Sequence, residues 1–328
     1  MTTRKEYAVT CVAPEKVELR EEEREIVPPG PNEITGSSVV TLISPGTELA
    51  AVYRGRHFPS VGGYAAVMRV EAVGEGVTDV KPGDLVFGMG AHRSHQRLTR
   101  REAVLVPPGL VPKVAVFARM MGVTMSTLTT TAARPPEPVV VTGLGLVGNL
   151  GAQVFQSCGY RVTACDPLEN RRKSAVSCGL RDVRAGVPLD DPAVCGKVGL
   201  VLECSGHERA VLEGCRVVRK RGEVALVGAP WQKRTDISAH EILHEVFHRY
   251  VILRSGWEWE VPRQPTDFMS GSVYNNFAAA LEWLAQGRIA VEGLYEVVAP
   301  RDGDRAYRDL DRRDGEILAR VFDWSDCP

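Results

Sequence analysis

The feature that most constrains the fold is a glycine-rich stretch, residues 138–166, which reads PVVVTGLGLVGNLGAQVFQSCGYRVTACD. A short β-branched run leads into the motif Gly-x-Gly-x-x-Gly, formed by Gly143, Gly145 and Gly148, and a helix-like segment follows. A second apolar run then ends at Asp166. This order of strand, motif and helix is the context in which the motif indicates a dinucleotide-binding βαβ unit. The stretch therefore predicts an α/β fold with a doubly wound parallel sheet of the Rossmann type.

Each residue of the motif has a physical role in such a unit. Gly143 permits the tight turn, Gly145 lets the backbone approach a pyrophosphate, and Gly148 lets the helix pack closely on the strand. The free amide groups at the start of the helix favour the phosphates. Asp166 would accept hydrogen bonds from a ribose 2′-hydroxyl and repel a 2′-phosphate. We therefore predict NAD(H) as the cofactor.

Composition restricts the partners and the compartment. The formal net charge of −1 over 328 residues argues against nucleic acid or an anionic membrane as the main partner. No run of 18 apolar residues predicts a transmembrane helix, and the charged N-terminal segment lacks the apolar core of a signal peptide. The eight cysteines include no CxxC pair, which favours free thiols. We expect a cytoplasmic protein that acts on a small molecule.

The pattern of elements changes along the chain. Residues 7–110 alternate short apolar runs with turns rich in glycine and proline, which predicts a β-rich domain. Strands and helices alternate over residues 138–257, as a parallel sheet with crossover helices requires. The tail combines a helix over residues 274–286 with two strands. The predicted domains are a β-rich domain of residues 1–117 and 258–328 and a Rossmann domain of residues 118–257.

Several motifs carry a resemblance to one superfamily. The turns VGEGV (73–77) and KPGD (81–84) and the segment ALEWLAQGR (280–288) are similar to those of the medium-chain dehydrogenase/reductase superfamily, the zinc alcohol dehydrogenase-like proteins. The segments LISPGTE (42–48) and GYAA (63–66) most resemble its bacteriochlorophyllide-dehydrogenase-like branch. The resemblance implies a GroES-like β-rich catalytic domain beside the Rossmann domain and a homodimer. It also implies hydride transfer to or from a secondary alcohol or ketone of a polyol-like or natural-product substrate.

The chain departs from the superfamily at its zinc ligands. Zinc members carry a Cys-Gly-Thr/Ser-Asp motif, a Gly-His-Glu motif and a third ligand before the Rossmann strand. Residues 45–48 read Pro-Gly-Thr-Glu, residues 63–65 read Gly-Tyr-Ala, and residues 113–131 contain no Cys, His, Asp or Glu. The four-cysteine structural zinc lobe is also missing. Because catalytic zinc needs about three protein ligands, the resemblance implies a zinc-independent enzyme, and we predict no metal site.

Without a metal ion, a side chain must supply or accept the proton beside the reacting carbon. Tyr64 is the first candidate, because the resemblance places it where a metal ligand would be; the alternative is that it only fills the vacated space. Thr47 matches the family position of a proton-relay hydroxyl. The family's relay histidine is absent, so Tyr53 or His57 is a candidate to replace it. His92 and His95 lie in a predicted loop and could also reach the site.

The remaining cofactor contacts are predicted from the parallel sheet, since ligands bind at the carboxyl ends of such strands. The turns after the predicted strands at 198–202 and 223–227, together with Thr124, are expected at the nicotinamide end. The predicted cofactor-binding residues are Gly143, Gly145, Leu146, Val147, Gly148, Asp166, Arg171, Thr124, Cys204, Ser205, Val227 and Gly228.

One segment carries a competing signal. Residues 240–248 read HEILHEVFH, two overlapping copies of HExxH, which on a helix could bind zinc as in a metalloprotease. The alternative is an amphipathic helix in the last crossover of the Rossmann unit. The predicted buried face of that helix consists of Ile242, Leu243, Val246 and Phe247. A protease would also need a third ligand and a substrate cleft, so we favour the amphipathic helix.

Three other functions stay open on the sequence. A zinc-free enoyl or quinone reductase would reduce a C=C bond conjugated to a carbonyl. Many relatives of that kind use NADPH, against which Asp166 argues. An epimerase or eliminase that retains NAD, or a protein that binds NAD without turnover, would use the same cofactor site.

Overall fold

The computed structural model describes residues 2–312 and 317–327, which form two compact units. Unit 1 comprises Met1–Arg119, Phe277–Gln286 and Gly293–Pro328, and unit 2 comprises Met120–Asn276 and Gly287–Glu292. The predicted domain boundaries at residues 118 and 258 stay predictions. Compact unit 2 begins near the first of them and runs beyond the second to Asn276.

Sixteen strands occur among the described residues. In chain order they are β1 (Thr3–Ala13), β2 (Lys16–Glu25), β3 (Glu33–Leu42), β4 (Ser60–Val61), β5 (Ala66–Val73), β6 (Leu85–Gly88), β7 (His95–Thr99), β8 (Ala103–Leu105), β9 (Pro138–Thr142), β10 (Arg161–Cys165), β11 (Asp182–Arg184), β12 (Val198–Glu203), β13 (Val218–Leu226), β14 (Ile252–Ser255), β15 (Tyr295–Val298) and β16 (Ala319–Asp323).

Nine α-helices accompany them in the same part of the chain. They are α1 (Pro45–Glu48), α2 (Pro112–Ala115), α3 (Ala118–Thr130), α4 (Leu146–Ser157), α5 (Glu169–Ser177), α6 (Glu208–Val217), α7 (Ala239–Arg249), α8 (Val273–Ala285) and α9 (Gly303–Arg312). None of the described helices is both long and apolar enough to cross a membrane.

Unit 1 is built on two β-sheets. The larger sheet has the order β15-β16-β3-β5-β6-β8, with β7 paired to β3, and the smaller has the order β2-β1-β4. Apolar side chains of β3, β5 and β6, among them Ile34, Met68 and Val86, are fully buried in one core. A second core joins β1, β16 and α9 through Val9, Phe322 and other apolar residues. The β-rich character predicted for residues 7–110 is confirmed.

Unit 2 contains one parallel sheet of six strands in the order β11-β10-β9-β12-β13-β14. In chain order this is the 3-2-1-4-5-6 arrangement, whose strand order reverses between β9 and β12. Val139, Val140 and Val141 of β9 are fully buried, as expected of a central parallel strand covered on both faces. The predicted doubly wound parallel sheet is therefore confirmed.

Helix α7 corrects one prediction about packing. It begins with a capping box formed by Ser238 and Glu241 and ends at Tyr250, which has a left-handed backbone conformation. No residue of α7 is fully buried, and 63% of Leu243 and 77% of Phe247 are exposed. The predicted buried face is thus wrong for these two residues, because α7 packs on the sheet through neighbours such as Val246.

Candidate functional site

The glycine turn of unit 2 joins β9 to α4. Gly143 has φ of +83°, a conformation that favours glycine. Gly145 is the N-cap of α4, and an added Cβ there would have only Arg171 Nη1 nearby, at 3.9 Å. A Cβ on Gly148 would overlap the carbonyl oxygen of Gly143. The turn is therefore tight inside and open above Gly145, which suits a backbone that receives a phosphate.

Two further turns lie against the glycine turn. Ser205, after β12, is so close to Gly143 that a Cβ on that glycine would lie 2.8 Å from the serine Cα. A Cβ on Gly148 would approach Cys204 Cβ to 3.1 Å. Gly228, after β13, lies against the backbone of Cys204 in the same way. The structure thus brings these predicted cofactor residues together at the carboxyl ends of β9, β12 and β13.

The first turn of α4 carries two more of the predicted residues. Leu146 is buried and packs inward, whereas Val147 is partly exposed. Val227 donates its backbone N–H to the carbonyl of Glu203 at 2.9 Å, which holds the β13 turn to the β12 turn. These residues shape the turns through their backbone rather than through polar side chains.

Asp166 is almost fully buried beside the glycine turn, directly after β10. Its Oδ2 accepts the backbone N–H of Leu144 at 2.7 Å, and its Oδ1 accepts the N–H of Leu168 at 2.9 Å. Arg171 Nη1 donates to Oδ2 at 3.3 Å. The carboxylate therefore anchors the glycine turn, and a positive charge stands beside the group that was expected to repel a 2′-phosphate.

Glu203 at the end of β12 is a buried carboxyl that the sequence analysis passed over. Its oxygens accept the backbone N–H groups of Ser205 at 2.8 Å and Gly206 at 3.0 Å, together with the Ser205 hydroxyl. Burial raises the pKa of this carboxyl, and these hydrogen bonds oppose the shift. Burial also raises the pKa of the neighbouring Cys204 thiol well above its usual value, which disfavours the thiolate.

Thr124 lies in α3 with its hydroxyl already used. Its Oγ1 donates to the carbonyl oxygen of Met121 at 3.1 Å, and its methyl group faces Gly151 of α4. A role at the nicotinamide end stays a prediction for this residue. Its described contacts serve the packing of α3 on α4.

The polar cluster of unit 1 is centred on Tyr64, which follows β4. Its hydroxyl donates a hydrogen bond to Ser44 Oγ, and the Thr47 side chain in α1 is near enough to lower the pKa of the phenol. The guanidinium carbon of Arg119 lies 4.6 Å from the centroid of the Tyr64 ring. The structure thus joins two of the predicted catalytic residues, Tyr64 and Thr47, with two residues that were not predicted. We call Tyr64, Ser44, Thr47 and Arg119 the tyrosine cluster.

The environment shifts the Tyr64 phenol in opposing directions. Burial raises the pKa of Tyr64, and the negative charge of Glu48 adds to that shift. The positive charge of Arg119 lowers the pKa, as does hydrogen bonding with the side chains of Ser44 and Thr47. Burial is the largest of these effects, so the phenol is held protonated at neutral pH. A protonated phenol can donate a hydrogen bond to a substrate oxygen.

A buried hydrogen-bond network lies directly behind the tyrosine cluster. Glu48 Oε1 accepts the backbone N–H of Ser44 at 2.7 Å, and its Oε2 is 3.0 Å from His92 Nε2 and 2.5 Å from the Tyr307 hydroxyl. Thr41 Oγ1 lies 2.8 Å from His92 Nδ1. His92 is therefore a fully buried structural residue and not the solvated loop histidine that its position in the sequence indicated.

The other two catalytic candidates lie apart from these contacts. His57 is exposed on the segment after the π-helical turn Leu49–Tyr53. His95 begins β7, where its Nδ1 is 3.7 Å from Glu71. Burial lowers the pKa of His95, and the positive charge of Arg4 lowers it further. Neither histidine has a described contact with Tyr64 or Thr47, so their catalytic roles stay predictions.

No group of three or more His, Cys, Asp or Glu side chains among the described residues is arranged to hold a metal ion. At the positions where the resemblance implies zinc ligands the chain has Pro45 and Tyr64, and the helical region before β9 contributes Arg119. His240, His244 and His248 do form a row along α7, with the last two rings 4.2 Å apart. Proline and arginine side chains do not bind zinc, and the absence of a metal site stays a prediction.

Arg119 had a signal in the sequence that motif comparison does not use. It is the single charged residue between Lys113 and Arg134, inside an otherwise apolar and hydroxyl-rich helix. Such a lone charge on a buried helix needs a compensating environment. Glu48 had a similar signal, because the acid follows directly on the relay position Thr47.

The chain resembles known proteins in sequence and in fold. No protein-family model matches the chain. The chain is 28% identical over 148 residues to a sorbitol dehydrogenase from Halalkalibacterium halodurans, which covers 43% of each chain. It is 22% identical over 233 residues to a 2-dehydro-3-deoxy-L-galactonate 5-dehydrogenase from Pseudoalteromonas atlantica, which covers 68% of this chain and 62% of that protein. The chain thus aligns with less than two thirds of the length of either relative.

Solved structures are similar over nearly the whole chain. Galactitol-1-phosphate dehydrogenase from Escherichia coli has a TM-score of 0.79 at 17% identity, covering 96% of this chain and 99% of that one. Acetophenone reductase from Geotrichum candidum, in complex with NAD, has a TM-score of 0.79 at 15% identity and covers 99% of both chains. A dehydrogenase from Sinorhizobium meliloti bound to NADP has a TM-score of 0.77 at 16% identity, covering 98% and 99%.

These likenesses define the fold. The chain has the α/β fold of medium-chain alcohol and polyol dehydrogenases, with a GroES-like domain and a Rossmann domain. The predicted fold class is therefore confirmed. The proteins that resemble the chain are dehydrogenases and reductases of alcohols, polyols and ketones, and both NAD and NADP occur among them.

Proposed function

We propose that the protein is a zinc-independent, NAD(H)-dependent oxidoreductase that transfers hydride between the nicotinamide and a secondary alcohol or ketone. The observation that carries the proposal is the tyrosine cluster, because it combines a buried proton donor with a fixed positive charge, at a position where the sequence resemblance implies a zinc ligand. The dinucleotide turn of unit 2 supplies the other requirement. A polyol-like or natural-product substrate is the proposed class, supported by the sugar-alcohol and sugar-acid dehydrogenases among the similar proteins.

The cofactor, when bound, supplies or accepts the hydride. Gly145 and the first amides of α4 would hold its pyrophosphate, and Asp166 its adenosine ribose. During reduction Tyr64 Oη donates its proton to the substrate oxygen, while Ser44 and Thr47 fix the direction of the phenol. During oxidation the phenol first gives its proton to solvent, and the tyrosinate then accepts the proton of the substrate hydroxyl. Thr47, which is partly exposed, is the proposed link to solvent.

Zinc independence is supported by the residues at the ligand positions. A proline cannot bind zinc, and a tyrosine that shares its hydroxyl with Ser44 and faces a guanidinium is a poor ligand for a cation. These residues do not fit a zinc ion, and the proton transfer described above does not require one.

The choice of NAD over NADP is supported by Asp166 and opposed by Arg171. A carboxylate at the end of the second strand favours a free ribose 2′-hydroxyl, whereas a nearby arginine can accommodate a 2′-phosphate. The second candidate function, an NADPH-dependent reductase of C=C bonds, is favoured by this arginine.

A homodimer and a cytoplasmic location remain expectations. All eight cysteines are free thiols.

A kinetic test separates these functions. The purified protein is assayed with NADH and NADPH against polyols, sugar acids, ketones and conjugated enones, with and without a chelator. We expect turnover of a secondary alcohol or ketone with NADH that the chelator leaves unchanged. Strong NADPH preference with enone reduction would favour the second candidate. NADH binding without turnover of any compound would favour a non-catalytic binding protein.

A further inference from the structure

Arg119 lies where a charged residue is unexpected. It is the second residue of α3, and only 3% of its surface is exposed. Its guanidinium carbon lies 4.6 Å from the centroid of the Tyr64 ring and 5.6 Å from that of Phe277. A guanidinium buried against two aromatic faces keeps its charge, since arginine does not deprotonate in proteins. Unit 1 therefore contains a permanent positive charge against its candidate proton donor.

The groups around Tyr64 define what this charge can do. The charged and titratable neighbours that act on the phenol are Arg119 and Glu48, and Tyr307 is coupled to it from α9. Glu48 is engaged by the Ser44 amide, His92 and Tyr307. Burial and Glu48 both disfavour a tyrosinate, whereas Arg119 is the main influence that favours it. A phenol that gives up its proton in this site therefore depends on Arg119.

We propose that Arg119 is the positioning residue for proton transfer by Tyr64: it holds the phenol ring by its face and supplies the fixed positive charge that stabilises the tyrosinate. The inference rests on the proposed function and extends it to a residue outside every recognised motif. In the reductive direction the substrate carbonyl carbon gains hydride from the reduced nicotinamide. Its oxygen gains the Tyr64 proton as the phenol O–H bond breaks. The tyrosinate then recovers a proton from solvent.

The position of Arg119 supports this role in a second way. In metal-dependent relatives a cation beside the substrate oxygen stabilises the charge that develops there. Here the helical region that would give the third metal ligand gives a guanidinium instead. Arg119 thus supplies a positive charge against the candidate proton donor without a metal ion. Tyr64 provides the proton that a bare cation cannot.

The test measures the titration of Tyr64 without substrate or cofactor. The full-length protein is labelled with [ζ-13C]tyrosine, and the Tyr64 signal is assigned as the one missing from Tyr64→Phe. The variants are Arg119→Met, which removes the charge at similar length, and Arg119→Lys, which retains it. Arg56→Met, which removes an exposed arginine of the same unit, is the control. We expect Arg119→Met to raise the pKa of Tyr64 by about one unit or more, a tenfold change in acidity, and the other two variants to leave it close to wild type.

An unchanged Tyr64 titration in Arg119→Met would overturn the proposal. If that variant does not fold, Arg119→Gln and Arg119→Lys decide: a shift in the glutamine variant alone supports the charge role, and an equal shift in both overturns it. In an active enzyme, Arg119→Met should also move the pH profile of kcat while KM stays within about twofold. If the wild-type protein showed no oxidoreductase activity, the proposed function would be refuted. The Tyr64 titration would still measure the effect of Arg119.

Discussion

The two units hold their candidate functional residues by different means. In unit 2 the glycine turn is fixed by backbone geometry, through the positive φ of Gly143 and the contact of Gly148 with its carbonyl. In unit 1 the tyrosine cluster is fixed by side chains that come from β4, α1 and α3 and their flanks. A site held by backbone geometry tolerates no side chain at its closely packed positions. An arrangement held by side chains can change residue by residue while the fold is retained.

The strongest test of this contrast is Tyr64→Phe. It removes the proton donor but leaves the glycine turn of unit 2 untouched. We expect kcat to fall by about 10² to 10⁴-fold, the usual contribution of a general acid, with NADH affinity unchanged. Steady-state kinetics and a fluorescence titration with NADH measure the two quantities. Wild-type kcat in this variant would show that Tyr64 only fills the space of a lost metal ligand.

The converse test places a side chain in the glycine turn of unit 2. Gly148→Ala puts a Cβ onto the carbonyl oxygen of Gly143, whereas Gly186→Ala, in the same unit, meets no atom within 4 Å. We expect the first change to lower the free energy of unfolding by about 3 kcal/mol and to weaken NADH binding, because overpacking shifts the backbone. The second change should leave both within about 0.5 kcal/mol. Urea denaturation and NADH titration decide, and equal effects from the two alanines would remove the argument from close packing.

The cofactor end offers a sharper test of unit 2. Asp166→Ala should weaken NADH binding about tenfold, or about 1.4 kcal/mol, and reduce the preference for NADH over NADPH. Arg171→Ala should weaken NADPH more than NADH, because the guanidinium is the only partner of Asp166 described here that could meet a 2′-phosphate. Dissociation constants for both nucleotides measure the preference. A loss of NADH affinity in the arginine variant and none in the aspartate variant would reverse the assigned roles.

The smallest expected effect concerns His95, which lies apart from the tyrosine cluster at the start of β7. Burial lowers the pKa of His95 in the folded protein, so the unfolded chain binds more protons at mildly acidic pH. Stability should therefore fall as the pH drops below about 6.5, and His95→Gln should lose part of this dependence, by less than about 1 kcal/mol. Urea unfolding at pH 7.5 and 5.5 measures it. Turnover should not change; a large drop in kcat would place His95 in the proton route.

The predictions that the structure confirmed rest on local sequence patterns. The β-branched residues of β9 and the glycine spacing are contiguous, so the strand, the turn and α4 were all predictable from one short stretch. Helix α8 was predicted within one residue at each end for the same reason. Such a pattern did not set the start of the edge strand β14, which begins only at Ile252, because Tyr250 adopts a left-handed conformation at the end of α7.

The contacts of unit 1 were beyond such patterns. Arg119 lies 55 positions from Tyr64 in the sequence, and Tyr307 lies 259 positions from Glu48. No local rule connects residues at these separations, since only the folded sheets bring them together. The predicted burial of Leu243 and Phe247 was wrong although their pattern is local. Their spacing is helical, but helical spacing does not show whether another element covers that face of the helix.

The arginine on the Tyr64 ring also bears on how such an enzyme would depend on its surroundings. A metal ion is acquired after synthesis, competes with other ions and can be withdrawn by a chelator. The charge of Arg119 is part of the chain and is in place as soon as unit 1 folds. An oxidoreductase built in this way would have no apo form with respect to its cation. Its activity would then follow the amount of protein and of nicotinamide, and would be indifferent to the supply of zinc.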